Sequence, residues 1–232
     1  MTVPSVRSAI VTGLPPLLLS LCASIACYVA TGPTTGLFFG GVAMTALLVP
    51  PLVLAHEDRA RQVITTAAIV DGIALPWLFA VTDPSISLLD FVRAYLLLCA
   101  WGAALWGIAD LLRRARIAPL FASALIIVLA LAWLSWPIWL SPWIAGRETL
   151  VGWLVAPHPL IGLDAALGHL GVEWDRRPLM YTRLSVLNQD VSYSRPGGVG
   201  RATLVHAGVA LLCLLPYRRL LRQRRSTAGV QL

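Results

Sequence analysis

The chain has 232 residues, 58% of them hydrophobic and only 12% charged, with a formal net charge of +7. Soluble domains carry roughly a quarter charged residues, so a globular surface covered by charge is excluded and an integral membrane protein is predicted. All 18 basic residues are arginines, set in short clusters between apolar runs, a pattern that fits membrane topology and argues against nucleic acid as a partner.

In chain order, six segments approach the about 20 apolar residues that a transmembrane helix needs: 9–30, 37–55, 63–82, 93–112, 117–140 and 200–217, the last being the shortest. The expected fold is an all-α, six-helix membrane bundle forming one polytopic domain over 1–232. Segment 141–199 is its long outer connection and 218–232 its basic tail. Within the first segment, Arg7, the apolar run and "ASIAC" (23–27) also resemble a cleaved signal ending at a lipid-modified Cys27. The run continues through Tyr28, Val29 and Ala30, long enough to span, which favours an uncleaved helix.

Pro15-Pro16 in the first segment and Pro50-Pro51 in the second remove backbone donors, so each pair is expected to kink or break its helix. Such interrupted helices mark transport sites in some membrane proteins and are simply tolerated in others. Asp83 and Pro84 suit the cap and first position of the fourth helix. The four cysteines all fall in apolar runs and read as small buried hydrophobes, giving neither a disulfide framework nor a zinc site.

The arginines test the helix count. "HEDRAR" (56–61), "RRAR" (113–116) and "RRLLRQRR" (218–225) follow the second, fourth and sixth segments, and Arg7 precedes the first. Connections 31–36 and 83–87 hold no basic residue. Positive-inside sorting produces this alternation when both termini are cytoplasmic, as in a multi-pass protein of a bacterial inner membrane. Residues 141–199 then face outward. Trp133, Trp136, Trp139 and Trp143 near that boundary read as an interfacial aromatic belt.

The outer segment contains two apolar stretches too short to span, 148–156 and 159–171. In the second, Leu160, Leu163, Ala166, Leu167 and Leu170 share one helical face, with Gly162 and His169 opposite. An interfacial or re-entrant helix pair is expected there. His158, Asp164, His169 and Asp175 invite a metal or catalytic reading. Asp164 and His169, however, stand five residues apart on different helix faces, and no HExxH, GxSxG or phosphate loop occurs. No metal, cofactor or catalytic residue is assigned. "EWDRRP" (173–178) reads as a self-neutralising loop. The alternative is that Arg176, Arg177 and Arg183 contact an anion or a partner.

Inside the membrane, Asp71 lies near the middle of the third segment, where an unpaired charge costs roughly 2.5–3.5 kcal/mol on insertion scales. His206 reaches a similar depth on the sixth and is its expected partner, as a polar clamp or as part of a substrate or ion path. Asp90/Arg93 and Asp110/Arg113 are i,i+3 anchor pairs near the two interfaces.

In layout the chain resembles the membrane half of ABC-2-type exporters, which also place short outer helices between their fifth and sixth spans. The resemblance covers topology and no motif. It implies a permease-like subunit in the lipid bilayer, homodimeric or bound to a cytoplasmic ATPase subunit through 56–62 and 113–116. Two other readings stand beside it: a membrane-embedded enzyme using Asp164, His169, Asp175 or Arg176 at the outer face, and a non-catalytic assembly subunit.

Overall fold

The structure, a computed structural model, describes residues 6–31, 35–80, 87–144, 146–167 and 198–228. Among them every regular element is a helix. The helices are α1 (Val6–Thr31), α2 (Thr35–Leu54), α3 (Arg59–Ala74), α4 (Trp77–Ala80), α5 (Leu88–Arg114), α6 (Pro119–Trp139), α7 (Ser141–Ile144), α8 (Glu148–Val155), α9 (Pro159–Leu167) and α10 (Gly200–Ala228). Four of these, α1, α2, α5 and α6, are long and apolar enough to cross a membrane. A fifth crossing is added if the bent pair α8–α9 is one span. The chain is therefore a membrane-embedded helical protein.

The third predicted span is two helices, because Pro76 has no N–H to donate and the ladder stops at Leu75, whose N–H reaches Asp71 O at 2.8 Å. Its polar residues Gln62, Thr65 and Thr66 are buried against neighbouring helices, while Val63 and Leu75 on its other face are exposed, so the polar side of α3 is the interior one. The sixth predicted span is the apolar first half of α10, Gly200–Leu214. The proline pairs end neither helix: α1 runs through Pro15 and Pro16, and α2 through Pro50 and Pro51.

α2 and α5 form the centre. α1 packs on α2 and α3, α6 on α2 and α5, and α10 along the opposite side of α5. Close approach is set by small residues. A Cβ on Gly72 would run into Ser20 Oγ and the Leu17 carbonyl of α1, and one on Gly41 would meet Trp77 at 2.7 Å. Two indoles tie the core to α2: Trp77 Nε1 donates to Leu37 O and Trp101 Nε1 to Val42 O, each at 3.1 Å. Of the four cysteines only Cys213 is buried; Cys27 and Cys99 are half-buried and Cys22 is exposed. Embedding in lipid accounts for an exposed apolar thiol on α1, whose flank also exposes Val11, Leu14 and Leu18.

α5 begins at Leu88, ahead of the apolar segment 93–112 and after the Asp83–Pro84 start expected for it. Ser87 caps it in a reciprocal box with Asp90: the Asp90 N–H donates to Ser87 Oγ at 3.2 Å and the Ser87 N–H to Asp90 Oδ2 at 3.3 Å. Asp83 and Pro84 lie outside the described residues. α5 ends in a Schellman motif, with Arg116 N–H on Arg113 O at 3.0 Å and Ile117 N–H on Leu112 O at 3.2 Å. The residue in the left-handed position is Arg116, φ 59°, where glycine is usual.

Candidate functional site

One set of polar groups in this apolar bundle lies along the seam between α3 and α5. α3 and α5 run antiparallel, and α5 presents Tyr95, Gly102, Trp106 and Asp110 to α3 at helical spacing. At one end of the seam, Asp110 is 1% exposed and its carboxylate accepts from three arginines. Arg59 Nη2 lies at 2.5 Å and Arg113 Nη2 at 2.8 Å, and Arg114 Nη2 also donates. Arg59 sits over the Trp106 ring at 5.8 Å, a cation–π contact. Arg113 Nη1 reaches across to the Glu57 carbonyl at 2.8 Å.

One turn further along α3, Gln62 receives the Trp106 N–H at 3.3 Å and donates to His56 O at 2.7 Å. Gly102 then lets Val70 and Thr66 approach the α5 backbone. Towards the other end, Tyr95 donates its phenolic hydrogen to Asp71 Oδ1 at 2.7 Å, with Cys99 beside it one turn on and Phe91 stacked on its ring at 6.2 Å. Asp71 is thus supplied with a donor, as intramembrane carboxylates require.

The expected partner of Asp71 is elsewhere. His206 lies on α10, across α5, with Nδ1 donating to Ala202 O at 2.7 Å and its ring edge-on to Trp101 at 4.9 Å. The depth comparison did not identify Tyr95, which shares a helix pair with Asp71. Asp90/Arg93 and Asp110/Arg113 do form, at 3.7 and 2.8 Å. Arg176, Arg177 and Arg183, with His169 and Asp175, lie outside the described residues. Asp164 is buried within α9. Among the described residues no group of three His, Cys, Asp or Glu side chains is placed to hold a metal.

A second polar feature organises the bend after α8. His158 is fully buried, with Nε2 at 3.1 Å from Trp133 O and Nδ1 accepting from the Ile161 N–H at 3.3 Å. A carbonyl only accepts, so the proton sits on Nε2 and Nδ1 caps the start of α9, where Pro159 takes the first position. Trp133 and Trp136 flank the imidazole, with ring centroids at 5.7 and 5.8 Å. The predicted tryptophan belt is therefore half a belt. Trp139 and Trp143 are exposed, while Trp136 is buried and Trp133 half-buried around His158.

α8 and α9 meet at 83°. All of α9 but Ala165 is buried, against α2, α5 and α10. Gly162 makes this fit, since a Cβ there would stand 3.2 Å from the Ala202 Cβ. The single apolar face read from the sequence is replaced by enclosure on nearly all sides.

No protein-family model, curated protein or solved structure matches the chain.

Proposed function

We propose that this protein is a permease-like subunit of a transport complex, with six spans, both termini on the arginine-rich cytoplasmic side, and a layout resembling ABC-2-type exporters. The observation that carries the reading is the α8–α9 pair: two short helices bent by 83°, the second enclosed among α2, α5 and α10. In a six-span topology this pair enters the bundle from the outer side, between the fifth and sixth spans. α3–α4 and the apolar half of α10 supply the remaining crossings. α3 gains the length to cross by continuing past Pro76, and α10 by running on past Leu214 into its arginine-rich stretch.

The partner surface follows from the same geometry. Loops 56–62 and 113–116 form one platform, because Arg113 bonds Glu57 O and Arg59 bonds Asp110. Glu57, Asp58, Arg61 and Arg116 are its exposed charges. A mixed-charge platform at the end of two braced helices suits a cytoplasmic ATPase subunit.

The test uses Glu57→Cys and Arg116→Cys in a background cleared of native cysteines, cross-linked in native membranes and photolabelled with an azido-ATP analogue. A common adduct carrying the nucleotide label is expected from both positions. An adduct without the label makes the chain an assembly subunit and overturns the transport reading. Reporters at Arg177 and at the C-terminus are expected in opposite compartments.

A further inference from the structure

On the face of α5 turned away from its seam with α3, a cavity of about 290 Å³ opens between α5, α6 and α10. Its walls include Trp101 and Ile108 of α5, Ile126 and Trp133 of α6, and Val205 and Val209 of α10. Among the described residues the one ionisable group on the wall is His206, which is 5% exposed and spends its Nδ1 hydrogen on Ala202 O. The groove is thus neutral and apolar along its length. It opens towards the bilayer, since Leu129 on its rim is 58% exposed and Val205 is 45% exposed. Water in such a cleft would find almost no hydrogen-bonding partners, whereas a hydrocarbon chain fills it without desolvating anything.

We propose that this groove holds the end of one acyl chain of an anionic phospholipid from the leaflet on the arginine-rich side. Charge selects the headgroup. Below the groove, the turn joining α5 to α6 exposes Arg116, and α10 continues past Leu214 into Arg218, Arg219 and Arg222. Reach fits as well. Ile108 stands about 9 Å above Arg114 at the helical rise per residue, and a chain anchored at the interface reaches about 15 Å to the midplane. Its distal part therefore enters the groove while its phosphate stays at the level of Arg116. Each arginine near an anionic surface contributes about 1 kcal/mol.

The test is photolabelling of the full chain in nanodiscs, with phosphatidylglycerol bearing a diazirine at the chain end and the matching phosphatidylcholine probe. Label from phosphatidylglycerol is expected to concentrate on peptides spanning 126–133 and 205–209. Ala130→Phe and Val209→Phe, which fill the groove from opposite walls, are each expected to reduce it to the level found along α1. Arg116→Gly is expected to narrow the preference for phosphatidylglycerol about fivefold, the change associated with one arginine at an anionic surface. Equal labelling by the two lipids, meaning ordinary boundary lipid only, overturns the proposal. So does labelling that neither groove-filling variant reduces.

Discussion

His158 Nε2 lies 3.1 Å from the carbonyl oxygen of Trp133, the carbonyl that Pro137, four residues on, leaves without its helical donor. A proline inside a helix ordinarily costs about 3 kcal/mol, in part through that lost bond. Here a side chain from outside the helix supplies the missing hydrogen, and its other nitrogen starts α9. The defect in α6 is thus the attachment point for the bend between α8 and α9.

Removing the imidazole strands two buried backbone groups. His158→Ala is expected to lower stability by about 2–3 kcal/mol. Pro137→Ala returns an N–H to Trp133 O, so the double variant is expected to be less damaged than the sum of the singles. Thermal unfolding of the four proteins in nanodiscs gives the cycle; simple additivity would remove the proposed link.

Asp110 and Asp90 both sit at ends of α5 and have very different surroundings. Asp110→Asn leaves three guanidinium groups facing a neutral amide, and about 3–5 kcal/mol is expected to be lost, as when one member of a buried ion pair is removed. Asp90→Asn weakens a capping box and is expected to cost about 1 kcal/mol. A larger effect at Asp90, measured by the same unfolding assay, would contradict this ranking.

Arg116 holds a left-handed conformation, φ 59°, that costs a side-chain-bearing residue about 1–2 kcal/mol. Arg116→Gly is expected to raise stability by about 1 kcal/mol, and Arg116→Ala to leave it nearly unchanged. Differential scanning fluorimetry separates the two. A gain with glycine means the arginine is kept for its charge at the expense of backbone comfort.

Two glycines with different surroundings should respond in opposite directions. A methyl at Gly72 would push against Ser20 and the α1 backbone, so Gly72→Ala is expected to destabilise by about 1–3 kcal/mol. Gly152, within α8, has nothing within 4 Å, and Gly152→Ala is expected to stabilise by about 0.5–1 kcal/mol. Equal melting shifts would mean that α1 and α3 are not held at contact distance.

Asp71→Asn keeps an oxygen that can accept from Tyr95, so stability is expected to stay within about 1 kcal/mol of the parent. On the transport function proposed above, export or uptake is expected to fall. Unchanged transport assigns Asp71 to bracing alone.

Long apolar runs were enough to read α1, α2, α5 and α6 and the membrane environment from the sequence. Pairs close in sequence, Asp90/Arg93 and Asp110/Arg113, were legible because helical spacing fixes them. Contacts between distant segments were not. Nothing in the sequence says that α3 lies against α5 and away from α10, and that arrangement gave Asp71 to Tyr95 and left His206 with Trp101. His158 carried an overlooked signal. Pro137 follows Trp133 at the one spacing that orphans its carbonyl, and a donor had to come from elsewhere. The tryptophans misled because composition at a boundary does not distinguish an indole facing headgroups from one closing over a buried ring.

The seam between α3 and α5 is tied near both ends, by Asp110 to Arg59 on one side and by Tyr95 to Asp71 on the other. Sliding the two helices lengthwise past each other would break both contacts at once, so a displacement of the platform at Glu57 and Arg116 that keeps them must carry α3 and α5 together.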